Sequence, residues 1–95
     1  MANEATHQTN VIKYLKSKGC YVIKTKPGAG TPKACPDVVF FKEGLWGMIE
    51  CKASKTAKSQ PGQDATIKKM DDWSWARKSY PAVWPAIRAE LEEIL

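Results

Sequence analysis

Apolar residues near the start of the chain recur at the spacing of an amphipathic helix. Between residues 3 and 18, Val11, Ile12 and Leu15 fall on one helical face, and lysines occupy the other face. Gly19 is typical of the residue that ends a helix. The pattern therefore predicts a first helix over residues 3–18.

Three runs rich in strand-forming residues follow this helix. The first covers residues 20–25, and the next two, residues 37–41 and 45–52, are joined by a short turn-forming segment. These last two runs predict a β-hairpin. Because residues 38–41 are apolar throughout, we expect both faces of that strand to be covered.

The second half of the chain predicts a helix, a short strand and a final helix. Helical spacing begins at Gln63 and continues to about residue 71. Trp73 and Trp75 alternate with smaller residues over 73–78, which favours a strand, although a helical continuation also fits. The chain ends in a helical stripe of apolar residues, Trp84, Ile87, Leu91 and Ile94. The expected order is α, β, β, β, α, β, α.

Chain length and apolar content restrict the class of protein. A chain of 95 residues cannot divide into two cores, so we expect one domain over residues 1–95. No apolar run approaches the roughly 18 residues that span a bilayer, and residues 1–8 lack the basic-then-apolar order of a signal peptide. We expect a cytoplasmic protein with no membrane contact.

The cysteines do not form a recognisable metal or disulfide pattern. Cys20, Cys35 and Cys51 are an odd number without a CxxC pair, and only His7 could join them as a soft metal ligand. We therefore expect free, buried thiols rather than a zinc site.

Basic residues are concentrated in the middle of the chain. Fifteen Lys and Arg against ten Asp and Glu give a net charge of +5, which favours a polyanionic partner. Between residues 24 and 58, seven lysines stand against three acidic residues. No GxxxxGK[ST] loop occurs, so no nucleotide cofactor is expected.

Three charged residues at the predicted hairpin form a candidate catalytic centre. Glu50 and Lys52 lie two apart on a strand, so both side chains project from the same face. Asp37 opens the partner strand, and the hairpin would bring it near Glu50. Paired carboxylates suit Mg²⁺, and a phosphodiester could complete the metal's shell. Lys52 could hold the attacking water or neutralise charge on the phosphorane.

The segments Pro36–Asp37 and Glu50–Lys52 resemble the PD-(D/E)XK nuclease motif. The whole chain resembles stand-alone VRR-Nuc domains of phages and bacteria, which are related to archaeal Holliday junction resolvases. This resemblance implies an α/β restriction-endonuclease-like fold, in which helices flank a mixed four-stranded sheet as an αβββαβ core with a C-terminal helix. It also implies an endonuclease that hydrolyses DNA with Mg²⁺, for which Mn²⁺ substitutes.

The resemblance implies further site residues. A glutamate on the first helix, a Gly-rich loop and a glutamine after the lysine correspond here to Glu4, Gly28–Gly30 and Gln63, although the loop lacks the family's frequent arginine. Glu4 also lies on an extension of the inward helical stripe, and a first-turn carboxylate is favourable in any helix. With Gln63, the expected catalytic set comprises Asp37, Glu50, Lys52 and Glu4. The expected metal ligands are Asp37, Glu50, Glu4 and the backbone carbonyl of Cys51.

Basic and glycine residues in the loops beside the motif are candidate DNA contacts. Phosphate contacts dominate the affinity of such proteins, although exposed lysines also simply maintain solubility. The expected contacts are Lys26, Gly28, Gly30, Lys33, Lys55 and Lys58.

The resolvase-like resemblance implies cleavage of branched DNA, above all four-way junctions, by a homodimer. The tryptophans and the acidic C-terminal helix are candidate dimer surfaces, since aromatic residues are enriched at interfaces. Three alternatives stay open: a nonspecific, flap or nicking DNase of the same fold, a non-catalytic nucleic-acid-binding protein, and a protein–protein adaptor.

Overall fold

The elements of the protein follow the predicted order. A computed structural model of the chain describes residues 3–26, 30, 34–58 and 61–95. The three helices are α1 (Glu4–Ser17), α2 (Gln63–Trp73) and α3 (Trp84–Ile94), and the four strands are β1 (Tyr21–Lys24), β2 (Val38–Lys42), β3 (Leu45–Cys51) and β4 (Ala76–Ser79). None of the helices in this described part combines the length and apolar character that a membrane crossing needs.

Helix α1 has a defined start and end. The Asn3 side chain caps its N-terminus by accepting a hydrogen bond from Thr6 N at 2.8 Å. After the last turn, Gly19 adopts a φ of +84°, a left-handed conformation that favours glycine. Val11 and Leu15 are fully buried, as their spacing predicts.

The four strands form a mixed sheet in the order β1-β2-β3-β4. Neighbours are antiparallel except for β3 and β4, which are parallel and connected through α2. A two-residue turn joins β2 to β3, with Gly44 at a φ of +76°. Val38 pairs with Ile49, and this register, continued by one residue, places Asp37 opposite Glu50. The predicted α/β fold with a mixed four-stranded sheet is confirmed.

Helices cover both faces of the sheet, but unequally. Helices α1 and α3 share one face, where their residues form the core with strand residues, namely Val11, Leu15, Ile87 and Leu91 with Val38, Phe40, Ile49 and Cys51. On the opposite face Met48 lies beside Thr66 and Met70 of α2. Alternation along β3 therefore directs Glu50, two residues after Met48, towards the α2 face.

The expectation that both faces of β2 are covered is wrong at one residue. Helix α2 contacts β3 and β4 but, within the described residues, neither β1 nor β2. Phe41 is therefore 43% exposed, beside Tyr21 at 71% and Ile23 at 43%. An apolar run shows that a strand can be covered, but the placement of the neighbouring helix decides whether it is.

The expected strand over residues 73–78 begins later, because α2 continues to Trp73. Ser74 ends the helix by donating its N–H to Met70 O at 2.8 Å, and its hydroxyl donates to Trp46 O. Trp75 then enters the core against Phe40. Trp73 is 64% exposed, whereas the other three tryptophans are buried or half-buried.

All three thiols are free, as expected. Cys20 and Cys51 are buried. The expectation of burial is wrong for Cys35, which is only half-buried because it lies in the loop before β2 rather than in a strand.

Gly47 allows the close packing of two aromatic residues, and we predict that Gly47→Ala destabilises the protein. The added Cβ would lie 2.7 Å from Phe40 Cε1 and 3.0 Å from Trp75 O. Phe40 is fully buried and cannot move away. Overpacking of this kind costs about 1–3 kcal/mol. Each kcal/mol lowers the melting temperature of a domain of this size by about 4–8 °C.

Calorimetry of the single and double variants checks this prediction. Phe40→Leu in the Gly47→Ala background makes room for the new methyl group. The double variant should therefore lose less free energy of unfolding than the two single variants together. If the losses in free energy of unfolding are additive, the clash with Phe40 is not the reason why Gly47→Ala destabilises the protein.

Candidate active site

Two charged side chains are buried together at the carboxyl end of β3. Glu50 is fully buried, and Lys52, directly after the strand, is only 7% exposed. Lys52 Nζ lies 3.8 Å from Glu50 Oε2, as expected for side chains two positions apart. Burying charges costs free energy that such a pair does not fully recover, so this strand end is better explained by chemistry than by stability.

Asp37 is held at the same end of the hairpin, next to β2. Its Oδ2 accepts a hydrogen bond from Cys51 N at 2.8 Å, and its backbone O accepts one from Thr25 N at 2.9 Å. The Thr25 hydroxyl also donates to Pro36 O at 2.8 Å. These contacts fix the Asp37 carboxylate at the end of β3 that carries Glu50 and Cys51, as the hairpin predicts.

The electrostatics of Cys51 reflect the acidic groups around it. Burial, together with the negative charges of Asp37, Glu4 and Glu50, raises the pKa of the Cys51 thiol to about 12, against the opposing effect of Lys52. The thiol is therefore protonated at neutral pH and is not a nucleophile. The acidic groups create a negative potential that a bound cation would neutralise.

Glu4 approaches the site from the first turn of α1, as expected. Its Oε1 lies 3.9 Å from Lys52 Nζ, and its side chain is half-exposed. Within residues 3–26, 30, 34–58 and 61–95, no three His, Cys, Asp or Glu side chains form a group that could hold a metal ion. Glu4 thus contacts Lys52 and does not form a three-carboxylate cluster with Asp37 and Glu50. Its role as a metal ligand stays a prediction.

The predicted oxygen donors other than Glu4 suit a hard divalent cation. Mg²⁺ usually takes only one or two protein carboxylates and completes an octahedral shell with water and phosphate oxygens. Asp37 and Glu50 provide two oxygen ligands on adjacent strands, and the backbone carbonyl of Cys51 lies between Glu50 and Lys52 in the chain. These donors fit Mg²⁺ or Mn²⁺ better than a soft metal, because none is a thiolate or an imidazole.

Comparison with models of protein families shows to which family the chain belongs. The family model described as archaeal Holliday junction resolvase (hjc) matches residues 5–94. The chain belongs to the Hjc family. Membership implies a nuclease, in agreement with the PD-(D/E)XK-like site at the hairpin end. Searches of curated proteins and of solved structures gave no match. The narrower resemblance to VRR-Nuc domains is not shown by this match and stays a prediction.

The structure describes most of the other residues that the sequence predicted for this Hjc-family site. Gln63 begins α2, is 4% exposed, and its Nε2 donates to Cys35 O at 3.5 Å, beside the Pro36–Asp37 segment. Gly30 has a φ of +89°. The candidate DNA contacts that are exposed to solvent are Gly30, Lys26, Lys55 and Lys58. The other two, Gly28 and Lys33, lie outside the described residues.

Sequence reasoning missed a buried polar pair behind the site of this Hjc-family protein. His7 was considered only as a soft metal ligand, yet it is 2% exposed and its Nε2 is hydrogen-bonded to Ser79 Oγ at 2.8 Å. Its spacing could have indicated burial, since His7 lies three residues after Glu4 and four before Val11 on the inward stripe.

Proposed function

We propose that this protein is a metal-dependent DNA endonuclease that cleaves branched DNA, above all four-way junctions. The supporting observation is the burial of Glu50 and Lys52 at one strand end, opposite Asp37. Two carboxylates facing a phosphate would weaken simple DNA binding, whereas metal-dependent hydrolysis requires them. Within this proposal the chain is a domain of the VRR-Nuc type that acts on DNA in the cytoplasm.

The proposed chemistry divides between a metal ion and the lysine. Asp37, Glu50 and the carbonyl of Cys51 would hold Mg²⁺ or Mn²⁺, which would supply a Lewis acid and lower the pKa of water. Lys52 orients the attacking water and neutralises charge that develops on the scissile phosphate. Because Lys52 is largely buried, water screens this charge less than it would at the surface.

Exposed lysines would position the DNA backbone at the site. Lys55 and Lys58 lie in the loop that follows Lys52, and Lys26 follows β1 near Asp37. Lysine contacts to phosphates give affinity without reading sequence. Contacts of this kind support selection of the DNA by its shape rather than by its base sequence.

The cleavage assay that tests this function uses four DNA substrates. Labelled four-way, flapped, nicked and linear DNA are incubated with the protein in Mg²⁺ and, in parallel, in EDTA. We expect metal-dependent cleavage of the four-way DNA above the others, and none in EDTA.

Each other outcome of the assay identifies an alternative. Equal cleavage of all substrates would indicate a nonspecific DNase, and preferred cleavage of flapped or nicked DNA would assign that substrate. Binding without cleavage would indicate a non-catalytic DNA-binding protein. Failure to bind any DNA at low salt would favour an adaptor.

We also propose that the protein is a homodimer that joins through the uncovered sheet face of β1 and β2. Tyr21 pairs with Phe41 across the two strands, and Ile23 lies two positions from Tyr21, so all three exposed side chains share one face. Contiguous exposed apolar surface is typical of interfaces. An isologous dimer would present two sites to a junction that must be cut on two strands.

This surface differs from the tryptophans and the C-terminal helix that the sequence favoured. Glu90 of α3 binds Arg77 and Glu92 binds Lys18, so these acidic residues stabilise their own chain. Only Trp73 among the tryptophans is mostly exposed.

Light scattering at micromolar concentration tests the dimer. We expect twice the 10.6 kDa chain mass for the wild type and for Ile94→Lys, and the single-chain mass for Phe41→Lys. Phe41 and Ile94 are exposed to the same degree, 43% and 42%, but Ile94 lies on α3, away from the proposed interface. A wild-type mass of one chain, with and without junction DNA, would disprove the dimer.

A further inference from the structure

A buried hydrogen bond connects the first helix to the last strand of the sheet. His7 on α1 and Ser79 at the end of β4 are separated by 72 positions in the chain, and their Nε2 and Oγ atoms lie 2.8 Å apart. His7 is 2% exposed and Ser79 is fully buried. The edge of the Trp84 ring packs against the imidazole, with the ring centroids 5.9 Å apart.

Ser79 also holds the backbone of the candidate catalytic lysine. Lys52 N donates to Ser79 O at 2.8 Å, and Ser79 pairs with Cys51 in the parallel ladder. The hydroxyl of Ser79 thus binds α1 while its carbonyl binds Lys52. Any shift of Ser79 would therefore move both α1 and the backbone of Lys52.

The same helical turn of α1 carries Glu4. His7 N donates to Asn3 O at 2.9 Å, which closes the turn that contains Glu4. Glu4 Oε1 lies 3.9 Å from Lys52 Nζ, and because the Glu4 side chain is half-exposed, this long ion pair by itself contributes little to holding a helix end. The buried bond of His7 to Ser79 is therefore the stronger constraint on the distance between Glu4 and Lys52.

The hydrogen bond between His7 and Ser79 restrains both the position and the rotation of α1, which apolar packing alone does not. Burial lowers the pKa of His7, so the imidazole is neutral at pH 7 and adds no charge beside the site. In a neutral imidazole Nε2 is either a donor or an acceptor, depending on the tautomer, and the hydroxyl of Ser79 can pair with it in either role. A buried, directional hydrogen bond favours one arrangement, whereas an apolar contact tolerates sliding and rotation of the helix.

We propose that His7 and Ser79 are positioning residues that hold Glu4 at Lys52 for the cleavage reaction. Their kinetic role rests on the proposed nuclease function, but the restraint on the helix does not. Neither residue reaches the substrate in this arrangement, because both are buried behind the strand end.

Kinetics of three variants test the kinetic role. His7→Leu removes the hydrogen bond and should lower kcat on four-way DNA about tenfold, as loss of supporting hydrogen bonds does in metal enzymes, with DNA affinity unchanged within about twofold. His7→Gln keeps a polar group near the Nε2 position and should recover most of the rate. Tyr14→Phe, the matched control, removes a 2.6 Å hydrogen bond from the same helix to Glu92 and should keep the wild-type rate.

A double-variant cycle identifies the residue through which His7 acts. If it acts through Glu4, then His7→Leu should cause no further loss of kcat in a Glu4→Gln background. Additive losses would overturn the proposal, and so would equal losses for His7→Leu and Tyr14→Phe or a His7→Gln variant as slow as His7→Leu.

Amide hydrogen exchange tests the restraint without any activity. The Lys52 amide should exchange at least about tenfold faster in His7→Leu than in the wild type, since its acceptor on Ser79 is no longer held, and no faster in Tyr14→Phe. Unchanged exchange at Lys52 overturns the inference. If the wild type cleaves no DNA, the proposed function fails, and the exchange result still decides whether His7 restrains the site.

Discussion

Asp37→Asn and Glu50→Gln should each lower the rate of DNA cleavage at least about 100-fold, because a bound metal contributes several kcal/mol of transition-state stabilisation. Each 1.4 kcal/mol corresponds to about a factor of ten in rate. Affinity for four-way DNA should change only a few-fold, since each variant loses a metal ligand but also lessens repulsion of phosphates. Both substitutions preserve side-chain shape at buried or half-buried positions.

Single-turnover cleavage and DNA affinity, both measured in Mg²⁺, check this result. Glu43→Gln is the matched control, because it neutralises an exposed acid in the turn at the other end of the same hairpin. It should cut at the wild-type rate. Thermal unfolding must show that every variant is folded at the assay temperature. Full activity of Asp37→Asn or Glu50→Gln would refute the assignment of the site.

Lys52→Met should lose most of the cleavage rate and little of the DNA affinity. The substitution keeps most of the aliphatic volume of a side chain that is only 7% exposed, but removes its charge. One phosphate contact is replaceable among many, whereas the charge that develops in the transition state is neutralised at this strand end by Lys52 and the proposed metal together. Loss of one such electrostatic contact typically lowers kcat about 100- to 1,000-fold.

The matched control for Lys52 is Lys55→Met, three residues later in an exposed loop. This variant should bind DNA slightly more weakly, with a smaller dependence of affinity on salt, and should cleave bound DNA normally. If Lys52→Met instead loses affinity while bound DNA is cut at the wild-type rate, Lys52 is only an anchor for the backbone.

The central part of the candidate site was predictable because its determinants are local. Glu50 and Lys52 share a face through the two-residue repeat of a strand, and the short turn at Gly44 sets the register that places Asp37 opposite Glu50. Glu4 was predictable from helical spacing. Each of these predictions needed only the geometry of one element or one hairpin.

The sequence by itself determined the order of the elements, the hairpin and its charged end, because periodicity and turn residues act over a few positions. Only the tertiary structure decided which faces are covered. Phe41 is exposed because α2 lies over β3 and β4. His7 on α1 is hydrogen-bonded to Ser79 of β4, although α1 packs mainly against β1, β2 and β3. Periodicity shows which side chains share a face, but the element that packs on that face is set by contacts between residues distant in sequence.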